Sequence, residues 1–110
     1  MQNDINIDFT DYQTILSHKG KIDGVVGSCK VEDFMSSLSE DLKVSLKKAK
    51  GVVVEFEHHN DLSVSIIGSL VEELNAFIDI NSDMIFGTKQ NDTLQKNMIE
   101  FRLIVAGIEE

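Results

Sequence analysis

Six apolar residues, Ile67, Leu70, Val71, Leu74, Phe77 and Ile78, recur at the three- and four-residue spacing of a single helix face. They predict a helix from about Ser63 to Ile78, with Asp61 or Ser63 as its N-cap. A helix that is apolar on one side must bury that side against another layer. The neighbouring layer is written just upstream. Val52–Phe56 (VVVEF) is a β-branched run of the kind found in a central strand. A chain carrying both is constrained to a helix-on-sheet architecture.

The remaining elements follow from the same periodicities. Phe9, Tyr12, Ile15 and Leu16 fall at helical spacing, which predicts a helix over Phe9–His18, capped by Asp8 or Thr10 and stopped at Gly20. Gly24–Cys29 (GVVGSC) reads as a short buried strand, and Val31–Leu46 as one or two short helices broken near Ser39. Lys47–Gly51 is a turn that brings cations to a helix C-terminus, where they are favoured. His58–Asp61 reads as a turn, Met84–Thr88 as a strand and Lys89–Lys96 as a polar loop. In Ile99–Gly107, Ile99, Phe101, Leu103 and Val105 alternate with Glu100, Arg102, Ile104 and Ala106, as in a strand that starts half-solvated and runs into a core. The expected fold is α/β (α+β): a small four-stranded mixed sheet packed with two to three helices. No repeat or linker interrupts it, so residues 1–110 read as a single domain.

A domain of 110 residues buries roughly two-thirds of the surface its unfolded chain exposes, enough for a core. Ten basic against nineteen acidic residues give a formal charge of −9. That charge disfavours phosphate backbones and anionic lipid, so neither nucleic acid nor direct membrane binding is expected. No apolar run approaches the roughly 18 residues of a membrane span, and the first residues lack the basic start and apolar stretch of a secretory signal. The one cysteine, Cys29, cannot form an internal disulfide, which fits a cytoplasmic location.

Few side chains suggest chemistry. His58 and His59 invite a metal reading with Glu57 or Asp61, but neighbours on a strand end point to opposite sides, and no metal ligand is assigned. Cys29 has no histidine or arginine nearby and reads as a small core residue rather than a nucleophile. On residues alone, Asp8-Phe9-Thr10-Asp11 is a helix cap with an acid in the first turn. No catalytic constellation supports an unrelated small α/β enzyme.

One set of short motifs, taken in order, resembles a known family. Asn6-Ile7-Asp8-Phe9-Thr10-Asp11 is similar to the Asn-x-Asp-x-x-Asp synergy loop of FtsZ, the cell-division GTPase of the tubulin/FtsZ superfamily. Ala49-Lys50-Gly51-Val52-Val53-Val54 resembles that family's Ala-(Lys/Arg)-Gly-Val-Leu-Val strand, and Asp61-Leu62 the pair before its long helix. Ile85-Phe86-Gly87-Thr88 and Arg102–Gly107 (RLIVAG) resemble its last two strands. The pieces cover about Asn6–Gly107. Departures are Asn3 where the family has glycine, His58-His59 in place of a glycine-containing turn, and a shortened Val31–Leu46 segment.

The resemblance implies an FtsZ C-terminal domain with its synergy loop at residues 3–11 and its N-terminal GTPase domain absent. Asn6, Asp8 and Asp11 would then act in trans on the GTP of an adjacent subunit, in a head-to-tail filament at the division site. GTP and Mg are implied for the parent protein; this chain has no glycine-rich phosphate loop, its seven glycines being scattered singly. By itself the chain is therefore not expected to be an enzyme. The alternative is a stand-alone, non-enzymatic interaction module derived from the same domain.

Overall fold

A computed structural model describes residues 6–108. In chain order the elements are α1 (Phe9–Leu16), β1 (Lys21–Lys30), a 3₁₀ turn (Val31–Asp33), α2 (Phe34–Ser37), α3 (Glu40–Lys48), β2 (Gly51–His58), α4 (Val64–Phe77), β3 (Asp83–Gln90) and β4 (Met98–Ile108). The strands lie in the order β1-β4-β2-β3. β4 runs antiparallel to both its neighbours, while β2 and β3 are parallel. The parallel pair needs a crossover, and α4 supplies it. The four-stranded mixed sheet is as expected, with α2 and α3 broken at Leu38 and Ser39.

Helices cover the two faces unequally. On one face, α2, α3 and α4 bring Phe34, Leu42, Leu46, Ile67, Leu70 and Leu74 onto Val52, Val54, Phe56, Ile99, Phe101, Leu103 and Val105. On the other face, among the described residues, only α1 is laid down, with Ile15 buried against Val53 and Ala106. The strands record that asymmetry. Val52, Val53 and Val54 of β2 are all buried, whereas Glu55 and Glu57 are only half-buried. Along β4, Glu100 and Arg102 are exposed but Ala106 is buried. The change from half-polar to apolar in β4 thus marks where α1 begins to cover the second face.

Several boundaries lie outside the predicted ones. β1 extends to Lys21 and Lys30, and β2 continues through His58, which is buried rather than part of a turn. β3 runs on to Gln90. The added residues are mostly polar and carry no periodic signal, but their backbones pair with distant strands, as in Lys21 with Ile108 and His58 with Ile99.

Two glycines have packing reasons. Gly27 pairs with Phe101, and a Cβ there would sit 2.8 Å from that ring. Gly107 has φ +68° and lies at the register shift in the β1–β4 pairing. No helix among the described residues is long and apolar enough to cross a membrane.

Candidate functional site

The segment from Asn6 to Tyr12 forms the entry to α1. Ile7 is half-buried against the Ile15–Val53–Ala106 cluster, while Asn6 and Asp8 face solvent. Asp8 is the N-cap, in extended conformation, and its carbonyl accepts the Asp11 and Tyr12 amides at 3.0 and 3.3 Å. The Asp8 amide in turn donates to Asp11 Oδ2 at 3.1 Å, the backward arm of a capping box. The cap reading of these two acids is therefore realised. It engages one oxygen of the Asp11 carboxylate, and Asp8 stays exposed. Asn3 and the start of the 3–11 loop lie outside the described residues.

Tyr12, one helical turn beyond Asp8, is half-buried, and its hydroxyl donates to Glu55 Oε1 at 2.5 Å. Arg102 Nη1 donates to the same oxygen at 3.3 Å. Burial is the largest influence on the Tyr12 phenol and raises it above its ordinary value of 10.0; the bond to Glu55 and its negative charge act the same way, opposed by Arg102. Tyr12 is thus the donor at neutral pH. The sequence does not show this group because Tyr12 and Arg102 lie 43 and 47 residues from Glu55: strand register brings Arg102 to it, and the packing of α1 on the sheet brings Tyr12.

The Tyr12 shift has a checkable consequence. The folded chain holds the phenolic proton to higher pH than the unfolded chain does. The associated stability is complete below about pH 10, the unfolded value, and is lost as pH rises through the higher folded value. Urea midpoints measured from pH 9 upward should fall more steeply for the native sequence than for Tyr12→Phe. Parallel curves would reject the link.

Beyond α1, the same sheet face holds a groove of about 220 Å3 lined by Val26, Glu55, Glu57, Lys89, Glu100 and Arg102. Register places these side chains in two rows, Val26–Arg102–Glu55 and Ser28–Glu100–Glu57–Lys89. The other sequence candidates have structural partners. His58 Nδ1 meets the His59 carbonyl at 3.0 Å, and His59 Nδ1 accepts the Asp61 amide at 2.9 Å, so both rings shape the turn after β2. Among the described residues no three His, Cys, Asp or Glu side chains converge as a metal centre. Cys29 is half-buried, and burial pushes its thiol up, away from the nucleophilic thiolate.

The same fold occurs in solved structures of FtsZ and CetZ2. Over 94% of the chain it superposes on an FtsZ dimer structure from M. jannaschii with TM-score 0.76 at 22% identity, covering 32% of that chain. The GTPγS-bound protofilament of CetZ2 from Haloferax volcanii matches the same share with TM-score 0.63 at 12% identity, covering 34% of that chain. In sequence, the cell division protein FtsZ of Wolbachia pipientis is 25% identical over 112 aligned residues, covering 96% of this chain and 35% of the relative. The model of the FtsZ family C-terminal domain matches residues 27–109. The chain belongs to the FtsZ family, as its C-terminal domain. It spans about a third of the length of the relatives it matches.

Proposed function

We propose that this domain is the polymerisation and activation module of an FtsZ-type cell-division GTPase, presenting Asn6, Asp8 and Asp11 to the nucleotide of the adjacent subunit. The observation that carries the reading is the entry to α1, where an exposed Asp8 and a hydrogen-bonded Asp11 share one fixed first turn. Phosphoryl transfer asks little covalent chemistry of a protein; it asks for a positioned water and compensated charge. Two carboxylates on one turn can accept hydrogen bonds from a single water and aim its lone pair, and the Asn6 amide adds a neutral donor and acceptor. On this reading the nucleotide and its Mg are held by the N-terminal GTPase domain of the adjacent subunit. Filament assembly then completes the site. The division site in the cytoplasm is the corresponding place of action.

The test uses the 110-residue chain as a one-sided cap. It offers the loop to a filament end but has no nucleotide face for the next subunit. Added to the full-length protein assembling with GTP, it is expected to lower the light-scattering plateau in a dose-dependent way. Affinity will be modest, because part of the natural contact and its preorganisation are missing. Unchanged assembly at large excess would favour the stand-alone module.

A further inference from the structure

At eight residues, α1 is shorter than the roughly 12–15 residues an isolated helix needs to persist in water, so its direction depends on what it touches. Its C-terminal end is held twice. Ile15 is fully buried under the sheet's second face, and His18 Nε2, just past the helix, lies 3.3 Å from Asp83 Oδ2 at the start of β3. The N-terminal turn, which carries Asp8 and Asp11, has no fully buried side chain, and Phe9 is 77% exposed. Half-buried Ile7 packs the entry to this turn against the Ile15 cluster, a looser hold than that at the other end, so the N-terminal turn can pivot.

Tyr12 is placed to prevent that pivot. It lies four residues after Asp8, on the same helix face, and its own amide donates to the Asp8 carbonyl. Its hydroxyl reaches Glu55 at the boundary between the covered and open halves of the sheet face. Continuous hydrogen bonds therefore run from Arg102 on β4 through Glu55 on β2 to Tyr12 and the cap. The phenol–carboxylate bond is the stronger part, being short, charge-assisted and partly buried. The Arg102 pairing is 59% exposed on the arginine side and weakly held.

We propose that Tyr12 and Glu55 are positioning residues for the Asn6–Asp11 loop, fixing the angle of the first turn of α1 so that Asp8 and Asp11 meet the neighbouring subunit in register. The inference rests on the function proposed above. Misplacing a reacting group by about 1 Å can cost roughly 10²-fold in rate, so a modest pivot is sufficient to matter.

Tyr12→Phe removes the hydroxyl and keeps the ring; Glu55→Leu removes the acceptor; Glu55→Gln retains one. Hydrogen exchange on the 110-residue chain reads the pivot directly. The Asp11 and Tyr12 amides are expected to exchange about three- to tenfold faster in Tyr12→Phe and Glu55→Leu. The Val53 and Leu103 amides in the sheet should stay unchanged. In the full-length protein, kcat for GTP should fall about tenfold in the same two variants with KM unchanged, because the nucleotide sits on another subunit. Glu55→Gln should restore most of both. Unaltered exchange in Tyr12→Phe, or faster exchange with unaltered kcat, overturns the positioning role. An Asp11→Asn protein run in parallel separates the two ideas. If Asp11→Asn loses turnover and Tyr12→Phe does not, only the positioning role falls; if Asp11→Asn turns over normally, the catalytic reading falls and takes the positioning role with it.

Discussion

Asp11→Asn in the full-length protein is expected to lower GTP turnover about 10²-fold or more while leaving GTP affinity unchanged. The asymmetry between the two quantities is the diagnostic feature. On the proposed function one subunit would hold GTP and the next would supply Asp11, so the loss of Asp11 should affect the step that needs the water and not the binding. Asparagine is the informative replacement. The Asp8 amide donates to Asp11 Oδ2 at 3.1 Å, and an asparagine carbonyl still accepts it. Alanine would remove that arm of the cap as well, costing about 0.5–2 kcal/mol of local stability and confusing a folding effect with a catalytic one. If Asp11 were only a cap, Asp11→Asn would be nearly silent and Asp11→Ala would lower the melting temperature without a specific loss of turnover. Normal turnover in the Asn variant, with assembly intact, would leave the cap as the whole role of this residue.

Phe34→Ala should have the largest effect on stability. α2 is only four residues long, yet Phe34 at its start is 0% exposed and stands edge-on to Phe56 at 5.1 Å and to Phe101 at 5.0 Å. The ring joins β2, β4 and the helical layer at one point, and Gly27 leaves room for the Phe101 ring. Truncating a fully buried Phe costs about 3–5 kcal/mol, the transfer term plus the cavity left behind. A domain of this size has roughly 5–15 kcal/mol in total. Calorimetry should show the melting temperature lowered by more than about 10 °C. Phe9→Ala, at a position 77% exposed, serves as the control and should leave the transition where it is. A Phe34→Ala protein melting within a few degrees of the native one would mean that α2 repacks and is not an anchor.

What could be read from residues alone was whatever the chain encodes at short range. The face Ile67–Ile78 became α4, with Ser63 capping it as its hydroxyl position allows. The alternation in Ile99–Gly107 became β4, and the acids at 8 and 11 became a capped first turn. Each is a pattern with a period of two to four residues, so a window of ten is enough to show it. The family motifs are likewise local strings, recognisable because they occur in order. The second layer of information was not of this kind. That α1 packs on the far face of the sheet, that β1 reaches Lys21, and that Tyr12 and Arg102 meet on one oxygen of Glu55 all depend on strand register and helix-on-sheet packing between segments remote in sequence. A one-residue shift in that register would turn Glu55 to the core and undo the group while leaving every local pattern intact. Sequence by itself determined the elements, their order and the family; only the tertiary structure decided which side chains meet, because strand register and layer assignment come from burying all the faces at once.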